Sequence, residues 1–292
     1  MQVQTQWVTS SDQQRLYVKT WGNVEHPALV LVHGYPDNQE VWERVIQHLV
    51  DQFYIVTYDV RGAGQSSTPK TIQAYALSQL SQDLQAVVDA VLAERDFHLA
   101  AHDWGSIQSW ESVTDIDFGQ RILSFSSISG PCLDHAAYWM REQLQKQPRQ
   151  FLKQLSKSWY IMAFHLPLIA PTLWRFFKPK HWSQFLQHLE QTQNLPLNGH
   201  IAKDGQYGVG LYRANFIPRL SKPRQRFAQC AVQAIVLKKD NFVSPALIDE
   251  MPKWTQKFQR VDLDANHWAI LSQPEQVAQH IQRFIQQQIH LD

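Results

Sequence analysis

The sequence predicts an α/β domain, a mostly parallel sheet covered by helices on both faces and interrupted late by a helical insertion. Three observations carry this. Short apolar, β-rich runs alternate with segments of helical spacing through the first 130 residues. The alternation stops at residue 131, and strand-like runs return only after residue 225. The last of them is followed by an amphipathic helix, so the outer segments read as one sheet.

In chain order, "QWVTSSDQQRLYVKTW" predicts two antiparallel strands around a polar turn. "ALVLVHG" is an unbroken apolar run ending in Gly, as in a strand buried on both faces. "NQEVWERVIQHLV" has helical spacing and leads to a second buried run, "FYIVTYDVRGAGQSS", with a Gly-rich loop. "YALSQLSQDLQAVVDAVLAE" places Leu77, Leu80, Leu84, Val87, Val88 and Val91 on one helical face. "FHLAAHD" and "RILSFSSIS" complete six strands. Residues 131–225, rich in Trp, Phe, Leu, Gln and Lys, contain no convincing buried strand and read as a helical cap inserted after the sixth strand. "AVQAIVLKKD" and "QRVDLDANH" resume the sheet, and "PEQVAQHIQRFIQQQI" is the final helix. Residues 1–130 and 226–292 therefore form one core around the cap.

Composition narrows the function classes. With 44% hydrophobic and 18% charged residues in 292, the chain is an ordinary globular one. A net charge of +1 gives no footprint for nucleic acid. Cys132 and Cys230 have neither metal-type spacing nor the number for a disulfide framework, so a reducing, cytoplasmic setting is expected. The N-terminus lacks the basic and apolar regions of a signal peptide. No run of about 18 apolar residues predicts a membrane span. The nearest, "WYIMAFHLPLIAPTLW", is interrupted by His165 and prolines and reads as a lid helix and loop, with peripheral membrane contact the lesser alternative.

The chemistry centres on "LAAHDWGSIQSW". Ala101 and Gly105 flank Asp103 at two residues on either side, the spacing of a tight strand-to-helix elbow that needs small neighbours. Within this window Asp103 is equally a nucleophile or an acidic helix cap. Upstream, "HGYPD" follows a strand, and the N–H groups of Tyr35 and Trp104 could form an oxyanion hole. Downstream, Asp240 ends a strand and His267 follows the last one, in the chain order elbow residue, acid, histidine. Asp134, after an earlier strand, is the alternative acid. Asp59 and Arg61 read as structural, His102 should point away from the elbow, and Ser106 lies too far into the helix to be a nucleophile.

Together, "HGYPD", "YDVRGAGQSS", "AHDWGS", "LKKDNFVSP" and "NHW" resemble the α/β-hydrolase superfamily over essentially the whole chain. More narrowly they resemble its epoxide hydrolase and haloalkane dehalogenase branch, which uses an aspartate nucleophile. The resemblance implies Asp103 as nucleophile, His267 as base and Asp240 as its acid. "SWYIMAFH" and "LYRANF" resemble the two windows that carry the cap tyrosines of epoxide hydrolases, and so nominate Tyr160 and Tyr212. With Trp104, these would contact substrate. Dehalogenases typically carry Asn after "HG", where this chain has Tyr35. The implied substrate is a small hydrophobic epoxide with water as co-substrate, and no metal or organic cofactor is implied. A dehalogenase with the same triad and a non-catalytic binding protein are the alternatives. The chain also resembles hydrolase domains that some bacteria fuse to a short-chain dehydrogenase, although it carries no nucleotide-binding motif.

Overall fold

The computed structural model describes residues 3–166 and 169–289. Residues 167 and 168 of the expected lid segment, and the ends of the expected core, 1–2 and 290–292, lie outside them.

Among the described residues eight strands form one sheet: β1 Val3–Thr9, β2 Arg15–Trp21, β3 Ala28–Val32, β4 Tyr54–Tyr58, β5 Phe97–His102, β6 Ile122–Ile128, β7 Ala231–Leu237 and β8 Phe258–Leu263. Their order is β1-β2-β4-β3-β5-β6-β7-β8. β1 and β2 are the antiparallel hairpin, and β2 joins β4 antiparallel. The remaining neighbours are parallel. Every side chain of β3, β5 and β7 is buried, while edge strand β1 is mostly exposed. This is why the central strands read as unbroken apolar runs: helices cover both of their faces.

The helices are α1 Glu43–Ile46, α2 Leu77–Leu92, α3 Trp104–Val113, α4 Leu133–Lys146, α5 Pro148–Lys157, α6 Trp159–His165, α7 Ile169–Trp174, α8 Pro179–Glu190, α9 Ile201–Ser221, α10 Ala269–Ser272 and α11 Pro274–Ile289. Alternate residues of β3 serve two cores. Val30 and Val32 pack with Leu84 and Val88 of α2 and Trp110 of α3. Leu29 and Leu31 pack with Val45 of α1 and Ile281 of α11. Each fully buried aliphatic side chain contributes roughly 1.5–3 kcal/mol. Of the predicted face of α2, Leu77, Leu80, Leu84, Val87 and Val88 are buried and Val91 is half-buried. The helical spacing after Asn38 gives something shorter than one helix, a 3₁₀ turn over Gln39–Trp42 and then α1. Its hydrogen bonds alternate between i−3 and i−4, as with His48 to Val45 and Val50 to Ile46.

Among the described residues six helices, α4 to α9, lie between β6 and β7. The long α9 is tied to the sheet's loops by buried polar groups. Asp204 accepts from the Gly64 N–H at 2.8 Å and from Asn38 Nδ2 at 3.0 Å. Asn215 accepts from the Leu77 N–H and donates to the Tyr75 carbonyl. Burial pushes the Asp204 carboxyl up to about 7, against which the hydrogen bonds from Asn198, Gly64 and Asn38 act. Among the described residues no helix is long and apolar enough to cross a membrane.

Candidate active site

The parallel strands aim their C-terminal ends at one region, and the loops there carry the candidate residues. Asp103 is the hinge between β5 and α3, with φ 53° and ψ −123°. A non-glycine residue held there costs about 1–3 kcal/mol, so the surroundings must enforce it. They do so through the backbone: Asp103 N–H donates to the Ile128 carbonyl, and its own carbonyl accepts from Ile107 N–H, both at 2.9 Å. Close approach explains the small neighbours. A Cβ on Gly105 would strike the Val32 and His33 carbonyls, and one on Gly34 would run into the Asp103 carboxyl.

The helix-cap reading of Asp103 does not hold, because its side chain makes no capping bond to α3. Its Oδ1 instead accepts from the Tyr35 N–H at 2.7 Å. The loop that presents this donor is fixed by His33. The Val60 N–H donates to His33 Nε2 at 2.8 Å, so Nδ1 carries the ring proton and donates to the Gly34 carbonyl at 2.9 Å. Burial lowers the His33 pKa, in keeping with a neutral ring. Trp104, the other expected donor, opens α3 directly after Asp103.

His267 follows β8 and reaches both acids. Its Nε2 lies 3.5 Å from Asp103 Oδ2, and its Nδ1 2.9 Å from Asp240 Oδ2. Asp240, in the loop after β7, is held completely. Oδ1 accepts from the N–H groups of Phe242 and Val243 at 2.6 and 3.0 Å, and Oδ2 accepts from Ser129 and His267. Burial opposes its ionised form, but His267, Ser129 and the Val243 N–H outweigh it and hold its pKa below the usual carboxylate value. Burial likewise opposes a charged His267. The Asp240 and Asp103 carboxylates prevail and raise its pKa to about 10. Asp134 lies elsewhere, accepting from Arg224 N–H at 2.9 Å and pairing with its guanidinium at 2.9 Å. His102 is turned from the elbow as expected, yet it has a local task, donating from Nε2 to the His267 carbonyl at 2.8 Å. Ser106 is buried against Ser127 and the Gly130 carbonyl. Arg61 is buried in a salt bridge with Asp83, and Asp59 accepts from the Gln39 and Gln65 N–H groups.

Tyr160 on α6 and Tyr212 on α9 converge on the same place, with ring centroids 6.1 Å apart. Both line two cavities that meet at Asp103. One, of about 160 Å³, runs past Tyr35, Phe164, Trp174, Phe185 and His267. The other, of about 150 Å³, runs past Trp104, Leu133, Leu155, Met162 and Phe216. Burial, and beyond it the Asp103 charge, pushes the pKa of each phenol upward, so both are protonated donors at neutral pH. The Tyr35 ring packs against Tyr212 at 5.2 Å, and its hydroxyl donates to the Gly205 carbonyl of α9 at 2.9 Å.

Several residues of this site are not legible from spacing. Ser129, at φ 51°, lies 3.0 Å from His267 Nδ1 as well as against Asp240. Phe242 packs on the His267 ring at 4.9 Å. Asp37, already visible in "HGYPD", accepts from the Trp268 indole N–H at 2.8 Å. Burial pushes its carboxyl up to about 7, partly offset by that bond.

Residues 27–274 match the family described as the alpha/beta hydrolase fold. A protein named "Probable oxidoreductase EphD", from Mycobacterium tuberculosis, is 33% identical over 95% of this chain and 48% of its own length. "Epoxide hydrolase A" of the same species is 32% identical over 53% of this chain and 46% of its own. The chain thus spans about half the length of these curated relatives. An inhibitor-bound epoxide hydrolase from Bacillus megaterium superposes with a TM-score of 0.77, covering 96% of this chain and 100% of its own at 18% identity, a likeness of fold.

Proposed function

The chain belongs to the α/β-hydrolase fold family, and on that premise we propose that it is an epoxide hydrolase converting a hydrophobic epoxide to a vicinal diol. The observation that carries this reading is the convergence of Tyr160 and Tyr212 on the cavities that Asp103 lines. An alkoxide leaves only when hydrogen-bond donors meet its developing charge, and two protonated phenols facing a carboxylate supply them. An ester-cleaving enzyme of this fold needs no such pair.

In the first step an Asp103 carboxylate oxygen attacks an epoxide carbon and the C–O bond breaks. Tyr160 and Tyr212 hold the leaving oxygen, and one phenol gives it a proton, forming a hydroxyalkyl ester on Asp103. In the second step His267, whose resting proton has passed through solvent to the phenolate left by ring opening, takes a proton from water, and the resulting hydroxide adds to the Asp103 ester carbonyl. The Tyr35 N–H, which contacts Oδ1 at 2.7 Å, and the Trp104 N–H receive the oxyanion. Collapse expels the diol alkoxide, which is protonated by His267, and the Asp103 carboxylic acid that remains gives its proton to His267, restoring the resting pair. Asp240 orients His267 and stabilises its cationic form. Esterification removes the Asp103 charge, one of the influences that raise the His267 pKa, so forming the ester makes the imidazole a more available base.

The helices α4 to α9 act in this scheme as the cap, carrying both tyrosines and the apolar walls that favour a hydrophobic substrate. The test is covalent trapping. His267→Gln incubated with a terminal aryl epoxide should gain the mass of one substrate, mapped to Asp103. Single turnover of the wild type in water labelled with heavy oxygen should place label in that carboxylate. A variant that stays unmodified, with no diol from the wild type, would rule the scheme out.

A further inference from the structure

Helices α5 and α6 carry an apolar row turned to solvent. Leu152, Leu155, Trp159 and Met162 are 59, 47, 70 and 66% exposed. Leu152 and Leu155 are three apart on α5, and Trp159 and Met162 three apart on α6, so each pair shares one side of its own helix. The row also meets the active site, because Leu155 and Met162 line the cavity that reaches Asp103.

Charge identifies what this face suits. Between Glu142 and Glu190 the sequence has no acidic residue, and of the basic residues in that interval Arg149, Lys153 and Lys157 fall on α5. The whole chain has a net charge of only +1, so the cationic excess is local. Arg149 and Lys153 are exposed on either side of Leu152 and have no ion pair among the described residues. A second copy of the chain is a poor occupant. A two-fold interface sets a patch against itself and would oppose these cations without a carboxylate between them. Apolar side chains with a Trp, flanked by Lys and Arg, match the interface of an anionic bilayer.

We propose that α5 and α6 dock on an anionic lipid surface, and that apolar substrate passes from it between Leu155 and Met162 into the cavity beside Asp103. The docking is independent of the reaction proposed above, whereas the entry route rests on it. Helix α5 is braced for this position. Lys157 Nζ donates to the Asp240 carbonyl at 2.5 Å, and Gln154 bonds the Phe242 carbonyl and the Ser244 N–H.

The experiment is co-flotation of the full chain with vesicles of phosphatidylcholine, with and without phosphatidylglycerol. The protein should float only with the anionic vesicles and should detach as salt is raised. Arg149→Gln and Lys153→Gln should each weaken binding roughly five-fold, the equivalent of about 1 kcal/mol per basic residue at an anionic surface. Leu152→Ser and Trp159→Ser should weaken it with charge unchanged, and Trp159→Phe should recover part of the loss. Leu152→Ser should process a water-soluble epoxide at the wild-type rate but a bilayer-embedded long-chain epoxide more slowly, in step with flotation. Absence of flotation, or flotation indifferent to all four substitutions, overturns the docking. So does a solution dimer that Trp159→Ser splits and that alone accounts for the face. If no epoxide is turned over, flotation still decides the docking while the reaction proposed above fails separately.

Discussion

The Nε2 atom of His267 lies 3.5 Å from Oδ2 of Asp103. The Asp103 and Asp240 carboxylates act together against burial and raise the His267 pKa to about 10. The resting pair is thus an imidazolium between two carboxylates, and in the proposed scheme this keeps His267 from acting as a base until Asp103 has reacted.

This pairing makes stability depend on pH in one direction. The His267 pKa rises from 6.5 to about 10 on folding. A raised value means that the stabilisation is complete below pH 6.5 and fades as the pH climbs towards about 10. Thermal unfolding across that window should show the wild-type Tm falling more steeply than that of His267→Gln. Parallel curves would show that the imidazolium does not form.

Removing the nucleophile's charge should reproduce the electrostatics of the ester. Asp103→Asn is expected to abolish diol formation and to lower the His267 pKa, followed through its imidazole resonances in an NMR titration. An unchanged pKa would mean that Asp240 alone sets it and that esterification does not prepare the base.

The tyrosines should act on ring opening. Tyr160→Phe and Tyr212→Phe keep the ring and remove the donor, so each should slow alkylation of Asp103 by about 10²–10³, the usual cost of one donor to a developing oxyanion. Single-turnover alkylation measured in the His267→Gln background isolates this step. Full rates in both variants would remove the tyrosines from the mechanism.

Legibility in the sequence followed the strength of local constraint. Strands β3, β5 and β7 are buried on both faces and leave unbroken apolar runs. Gly34 and Gly105 were visible because no Cβ fits where two backbones cross. The order of Asp103, Asp240 and His267 was legible because each ends or follows a strand. Ser129 was not: one serine among several in "SFSSISG" gives no sign that its hydroxyl lies against Asp240. Nor could spacing show that Phe164 and Trp174 turn inwards, because α6 and α7 are short and their facing is set by packing on α9.

Gly34 offers a test of geometry without replacing a functional side chain. In Gly34→Ala the new methyl group would meet the Asp103 carboxyl and the His102 carbonyl. Relief requires the Tyr35 N–H to move from Oδ1. Turnover should fall by about 10²–10³, as when one oxyanion donor is lost. Stability should fall by about 1–3 kcal/mol, the usual cost of overpacking. Denaturant unfolding and steady-state kinetics on the same preparation separate the two effects.

Asp134 and Asp240 are both buried aspartates near strand ends, and the structure gives them different partners. Asp240 meets His267 at 2.9 Å, whereas Asp134 meets Arg224, which also makes a bidentate pair with Glu111. Asp134→Asn should therefore cost about 1–3 kcal/mol of stability, the penalty for leaving a buried partner poorly satisfied, with little change in kcat. Asp240→Asn should act on chemistry. It removes the charge that stabilises the His267 cation and offers an amide in place of an acceptor, so the alkylated Asp103 should accumulate during turnover and be detected by intact-protein mass. If Asp134→Asn accumulates the ester instead, the acid has been assigned to the wrong strand, since only the true partner of His267 controls hydrolysis of the intermediate without controlling its formation.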